Sequence, residues 1–450
     1  MTRDTRGILA AQALRALAYG FGSVLLGVVL AARGWSSARV GLLLAAIVAG
    51  TALAQLVVGT LGDRIGRRRA YAALFCCLAL AGVAFGLTTR WWLLLGVALT
   101  GALSTEVVES GPFTSLEQAM LPQGLPARAR TRVFGVYNTV ATLAGSLGAL
   151  AAAGPALLLP GAGVGAGVGG GVGLAAEQRL FLVFVPIGLA GAILARSLSQ
   201  QVEAPAEAKV DEQAHPPARV RMPLGRSRAT VLRLSGLFAV DAFGGGFVIQ
   251  SFIAYWLRVR FGASVELLGV VFFAIGLLQA GSFLAATRLA ERIGLLPTMV
   301  ATHLPSNLLL VAIPLAPNLP SAVGLLFGRF ALSQMDVPTR QAYVIALVDP
   351  AERTAAVATT NLARYLARPI APAVAGAAGQ LGMGLPFVLA GTIKATYDLA
   401  LWAWFRRVEL PAEPAEPTEP NHDHHDHHDR AQAPPVQAGT GDGDGRRKRP

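Results

Sequence analysis

The chain has 450 residues, 53% of them hydrophobic and 14% charged, with a mean hydropathy of +0.52. That balance excludes a soluble globular domain, which needs more polar surface at this length. The formal net charge of +12 would suit nucleic acid, but its arginines cluster in short loops between apolar runs, where membrane topology places them, so nucleic acid is not an expected partner.

A helix needs roughly 20 apolar residues to cross a bilayer. The runs at 8–32, 40–61, 70–89, 91–113, 133–158, 179–197, 230–257, 265–287, 296–316, 320–346, 355–378 and 384–405 read as twelve spans. The first run is longer than a signal-peptide core and lacks a convincing cleavage site, so it reads as a retained span. Twelve spans put both termini on one side of the membrane. Basic residues such as Arg64, Arg67, Arg68, Arg69, Arg128, Arg130, Arg288, Arg292 and Arg353 then fall on that side, which predicts cytoplasmic N- and C-termini in an inner (plasma) membrane. Cys76 and Cys77 are adjacent inside span 3 and lack metal-ligand spacing.

Between spans 5 and 6, "GAGVGAGVGGGVG" contains Gly165, Gly167 and Gly170 in G-x-G-x-x-G spacing, but it follows a membrane helix and reads as a flexible loop rather than a nucleotide cradle. Residues 198–229 are polar and proline-bearing, a linker between halves at 1–197 and 230–405. The halves overlay. At a shift of 228 residues Gly34 meets Gly262, Gly41 meets Gly269, and "DRIG" at Asp63–Gly66 meets "ERIG" at Glu291–Gly294; at a shift of 223, Arg130-Thr131 meets Arg353-Thr354 and Asn138 meets Asn361. One half therefore reads as a diverged copy of the other.

Span 2 ends in "GTLGDRIGRRRAY", with Gly59, Asp63, Arg64, Gly66, Arg67 and Arg68. The glycines are expected to let spans 2 and 3 turn tightly, and the arginines to sit at headgroup level. This stretch resembles the G-x-L-x-D-R-x-G-R-R signature of the major facilitator superfamily, and the resemblance extends over residues 1–405. It implies an all-α membrane protein of twelve transmembrane helices in two pseudo-symmetric six-helix bundles, with a central site near the bilayer midplane and alternating access by rocking of the halves. By the same resemblance, Asp63 is expected to meet the start of span 11, with Arg364 nearby, and Arg67 to meet a span 4 carboxylate such as Glu109, latching the outward-open state.

Ionisable groups inside a span are costly and point to function. On span 10, Arg329, Ser333, Asp336 and Arg340 share one helical face, bent by Pro338; the matching span 4 positions are Glu106, Ser110, Phe113 and Glu117. Since spans 1, 4, 7 and 10 line the cavity in the family, Glu106 is the expected proton-coupling carboxylate, with Arg329 as its charge partner or as an anion ligand. Asp241 on span 7, beside three glycines, is a second titrating candidate. Arg15 on span 1 is expected to snorkel to the cytoplasmic face, and Lys394 and Asp398, four apart on span 12, to pair with each other.

Residues 406–450 form a polar tail in which His422, His424, His425, His427 and His428 stand in an acidic stretch that could bind a divalent metal. The expected function is a secondary transporter, a proton-coupled exporter of a small organic solute or drug. A divalent-metal exporter of the nickel type and a transport-inactive membrane receptor are the alternatives. No G-x-S-x-G, H-E-x-x-H or Walker lysine occurs, so neither an enzyme nor a cofactor is expected. The expected partners are a small-molecule substrate, protons and the lipid bilayer, with the chain acting as a monomer.

Overall fold

The computed structural model describes residues 2–104, 111–121, 127–154, 171–203, 225–349 and 352–408, all within one packed unit; 411–450 form a separate unit that is not among them. Among the described residues every regular element is helical. Helix α1 (Arg3–Ala32) starts at Thr2, whose hydroxyl accepts from the Thr5 N–H at 3.1 Å. Most of it is buried, without a break from Ala18 to Leu30, so it stands inside the helix bundle rather than at its rim. Helix α2 (Ser37–Ile65) instead leaves Leu42, Leu53, Leu56 and Val57 exposed, a surface suited to lipid.

Helix α3 (Arg67–Leu87), α4 (Trp91–Ala98), α5 (Pro112–Met120), α6 (Ala127–Ala151), α7 (Gly171–Arg179) and α8 (Phe184–Ser197) complete the first half. The second contains α9 (Arg228–Gly246), α10 (Gln250–Phe261), α11 (Val265–Ile293), α12 (Leu295–Ala312), α13 (Leu319–Ser333), α14 (Asp336–Leu347), α15 (Arg353–Ala367), α16 (Ala371–Leu381) and α17 (Leu385–Phe405). Among the described residues, seven helical stretches are long and apolar enough to cross a membrane: Arg3–Ala32, Ser37–Ile65, Arg67–Leu87, Ala175–Ser197, Arg228–Phe261, Val265–Ile293 and Leu295–Leu315. Several of the other expected spans are interrupted.

The interruptions have local causes. The α9–α10 break follows Gly244, Gly245 and Gly246, where backbone freedom is greatest. Between α13 and α14 the break falls at Gln334 and Met335, because the ring of Pro338 opposes the carbonyl four residues before it. The bend expected below Pro338 is thus a break one turn above it. Residues Arg368–Ile370, with Pro369, form the 3₁₀ turn that joins α15 to α16.

The internal repeat is visible in backbone geometry. Gly66 and Gly294, aligned by the 228-residue shift, turn the chain between successive helices at φ +99° and +90°, a region that L side chains rarely enter. Gly59 and Gly62, by contrast, lie within α2, so Gly66 alone makes the tight turn expected of this motif. The second aligned pair serves packing: a Cβ on Gly41 would lie 2.3 Å from the Pro372 carbonyl oxygen, and one on Gly269 2.8 Å from that of Ala149. Each is the point at which one half approaches the other.

These approaches lie toward one end of the bundle, here termed the roof. Gly27 packs on Ser251 and Ala254 there, and the Tyr255 hydroxyl donates to the Trp35 carbonyl at 3.0 Å. The opposite end, the base, is tied within each half. In the first, Glu203 accepts from the backbone N–H groups of Arg67 (2.7 Å) and Arg68 (3.3 Å), and Arg68 Nη2 donates to the Arg196 carbonyl at 2.7 Å. In the second, Glu352 accepts from Gly225 N at 2.8 Å and Ser227 N at 3.1 Å. Residues 200–203 of the expected linker are therefore packed at the base, with Val202 buried; residues 204–224 lie outside the described residues.

Candidate functional site

Within the second half, α9, α12, α14 and α17 bring a set of charges to one buried place. Asp241 is its centre: Lys394 Nζ donates to Oδ1, Arg340 Nη1 lies 3.5 Å from Oδ2, and His303 Nε2 lies 3.8 Å from Oδ1. Arg340 also donates to Asp336 at 2.7 Å, one turn away on α14. A second layer stands behind His303, whose Nδ1 is 2.7 Å from Asp398 Oδ1; Asn307 Nδ2 donates to Asp398 Oδ2 at 2.8 Å. Lys394 and Asp398 thus do not pair with each other. Both are on α17, yet the lysine turns to Asp241 on α9 and the carboxylate to His303 on α12, because each finds a better desolvated partner on a neighbouring helix than along its own.

This network forms part of the wall of a cavity of about 250 Å³. Asp241, His303, Arg329, Asp336, Arg340 and Lys394 line it from the second half, together with Arg364 and Arg368 of the α15–α16 region. From the first half come Thr142, Gly145, Ser146 and Ala149, all on α6. The shared face of Arg329, Ser333, Asp336 and Arg340 survives the break, since all four residues line the cavity. Arg329 is 8% exposed; its guanidinium carbon lies 4.5 Å from the centre of the Phe330 ring, and among the described residues its Nε lacks a hydrogen-bond partner.

The first half contains a different kind of node. Arg15 donates from Nε and Nη2 to the two oxygens of Glu117 at 3.1 and 2.9 Å; Tyr71 and Tyr137 donate to the same carboxylate at 2.7 and 2.6 Å. Both members of the ion pair are completely buried. Arg15 therefore does not snorkel. A carboxylate with both oxygens already engaged is available inside the bundle, and the rings of Tyr19 and Phe113 lie 5.4 and 5.7 Å from the guanidinium.

At the base, Asp63 Oδ1 accepts from Arg67 Nε at 2.6 Å, and Arg67 Nη1 donates to the Ala119 carbonyl at 3.3 Å. Arg64 and Arg68 border the groove between α3 and α8. Glu106 and Glu109 lie outside the described residues, as do Gly165, Gly167, Gly170 and the tail histidines His422, His424, His425, His427 and His428. Among the described residues no group of three or more His, Cys, Asp and Glu is placed to hold a metal.

Sequence reasoning passed over Glu117 and His303 as site residues. Glu117 had a signal: it aligns with Arg340 at the 223-residue shift, and Arg15 offers it an opposite charge. His303 had only its solitude within the spans.

A polytopic helical bundle with a charged internal cavity is the architecture of a membrane transporter. The chain matches the Major Facilitator Superfamily over residues 8–335 and belongs to it. The chain is accordingly a multi-pass membrane protein and a secondary transporter. It is 26% identical over 436 residues to the "Uncharacterized membrane protein YJR124C" of Saccharomyces cerevisiae, with 91% of this chain and 95% of that protein covered. Among solved structures it is similar to the inward open conformation of the xylose transporter XylE from E. coli, with TM-score 0.66 and 14% identity over 91% of this chain and 97% of that one. It is also similar to the nucleoside transporter NupG, with TM-score 0.67 and 12% identity over 89% and 99%.

Proposed function

We propose that this protein is a proton-coupled transporter of a small organic solute, working by alternating access, with Asp241 as its coupling carboxylate. The observation that supports this reading is the position of Asp241 on the cavity wall, shared by Lys394, Arg340 and His303. As a carboxylate it holds both cations. Taking up a proton cancels its charge, releases Lys394 toward the cavity and changes the interaction between α9 and α17.

A ligand shifts a conformational equilibrium only through differential affinity for the two states, and the coupling is reciprocal. A solute that favours one set of partners for Lys394 and Arg340 therefore alters proton affinity at Asp241, and the proton alters solute affinity in return. His303, touching Asp398 through its other ring nitrogen, extends the chain of polar contacts beyond the cavity wall. Glu117 suits this role poorly, since it is completely buried and four donated hydrogen bonds already engage both its oxygens. Glu106, the carboxylate expected first from the sequence, lies outside the described residues and is judged by the same measurement.

The test is solute-dependent proton movement in reconstituted vesicles carrying a pH-sensitive dye, screened over small organic solutes. A transported solute is expected to move protons with wild-type protein and not with Asp241→Asn, and the sign of the signal gives the direction of transport. Transport by the wild type without proton movement would overturn the coupling.

A further inference from the structure

The cavity wall is rich in ionisable side chains. Its described lining includes five lysine and arginine side chains against two aspartates. Ionisable groups at membrane depth are expensive and point to function.

One place in it is specifically prepared. Arg329 is more than nine-tenths buried and its Nε has no hydrogen-bond partner among the described residues; Ser333, four residues on along α13, likewise has none there for its hydroxyl. Both residues line the cavity. Four residues apart is one helical turn, so the two donors share a face. Buried donors are normally satisfied, and two adjacent exceptions call for an explanation. Ser333 could bond back to a carbonyl of its own helix and does not. Arg329 could reach a carboxylate, yet among the described residues no ion pair includes it, and it rests on the face of Phe330 instead.

The same cavity is also lined by the rings of Phe272, Phe283 and Phe330, the last of which lies against Arg329. The volume, about 250 Å³, falls below the roughly 300–1,000 Å³ typical of sites for drug-sized ligands. We propose that the cargo is a small organic monoanion, a carboxylate with an apolar or aromatic body, whose carboxylate accepts from Arg329 Nε and the Ser333 hydroxyl while its body lies among the phenylalanines. This rests on the transporter reading of the same cavity, but not on proton coupling. Arg329 would then bind the cargo directly, and Asp241 would respond to the proton.

Binding tests this without any gradient. Purified protein in detergent is titrated with benzoate, phenylacetate and hexanoate, and with the neutral amide and the amine of each, following thermal stabilisation and intrinsic tryptophan fluorescence. At least one carboxylate is expected to bind at least tenfold more tightly than its amide, with no binding of the amines. A charge-assisted hydrogen bond in a desolvated site is worth enough that Arg329→Gln should weaken binding roughly ten- to hundredfold, with partial rescue by Arg329→Lys. Ser333→Ala, which removes one hydroxyl and leaves every charge in place, should weaken it several-fold and guards against misfolding of the arginine variants. The proposal is overturned if no carboxylate binds, if the amides match their acids, or if both Arg329→Gln and Ser333→Ala bind as the wild type does. Failure of coupling looks different: carboxylate binding intact, but no proton movement in vesicles.

Discussion

Arg15 and Glu117, 102 residues apart in the chain, meet through two hydrogen bonds of 3.1 and 2.9 Å inside the first half. The matching helices of the second half carry the opposite signs: Arg340 stands 223 residues after Glu117, and Asp241 on α9 lies 3.5 Å from it. The repeat has kept an ion pair between matching helices and reversed its polarity. The two pairs differ in surroundings. Glu117 is sealed by Tyr71 and Tyr137, whereas Asp241 faces a cavity and shares three cationic or titratable neighbours.

The sealed pair should therefore act on stability. Removing one member of a buried ion pair typically costs about 3–5 kcal/mol, because the other charge is left uncompensated. Glu117→Gln is expected to lower the thermal unfolding midpoint in detergent strongly, and Tyr71→Phe less, by about 1–3 kcal/mol for an acceptor that retains its other donors. An unchanged midpoint for Glu117→Gln would mean that Arg15 has another satisfactory partner.

Lys394 and Asp241 should be coupled to each other. Lys394→Met leaves Asp241 short of a partner, and Asp241→Asn leaves Lys394 in the same position, so the double variant should be less damaged than the sum of the single ones. Residues in direct contact commonly show coupling of about 0.5–3 kcal/mol. A double-mutant cycle on unfolding midpoints reads it; simple additivity would show that the contact contributes nothing.

Asp63 bears on the conformational equilibrium. In the present conformation it bonds Arg67 within its own half, and its side chain is 48% exposed. In the alternative conformation it is expected to reach the start of α15, where a carboxylate at a helix N-terminus contributes up to about 2 kcal/mol. Asp63→Asn should then favour the present conformation by up to roughly thirtyfold, and cysteines placed at the base ends of α5 and α14 should label faster. Equal labelling with normal transport would reduce "GTLGDRIGRRRAY" to a topology signal.

Glu352 gives a pH dependence whose sign can be worked out. At the membrane surface, the Ser227 hydroxyl first, and then the backbone N–H groups at the start of α9, hold its carboxyl below the ordinary glutamate value. Its contribution to stability is thus complete above the unfolded value of about 4.3 and is lost as pH falls through the lower folded value. Glu352→Gln should lower stability at neutral pH, change it little at pH values below the folded value, and so flatten the acid limb of a stability–pH curve below about pH 4.3; an identical acid limb would contradict the cap.

Most of the helices and the internal repeat were legible because they depend on long-range composition and on glycine spacing, which a single sequence carries. The motif at Asp63–Arg68 was equally legible, since its residues are contiguous. Partner choice among buried charges was not. Lys394 and Asp398 look paired along one helix, and Arg15 looks close enough to the surface to escape; only the packing of α17 against α9 and α12, and of α1 against α5, reveals better partners. The clue lay in charge complementarity between repeats, Arg15 with Glu117 and Asp241 with Arg340, which becomes readable once the helices that touch are known.

The central claim is that Asp241 couples proton movement to transport in the cavity. The most direct measurement compares two modes in the same vesicles: accumulation of a transported solute driven by an imposed pH gradient, and solute exchange at equal pH. Asp241→Asn is expected to abolish accumulation and leave exchange within a few-fold of wild type. Accumulation at the wild-type level in Asp241→Asn would contradict the account, and the same pair of measurements on Glu106→Gln would show whether the coupling carboxylate lies in the other half.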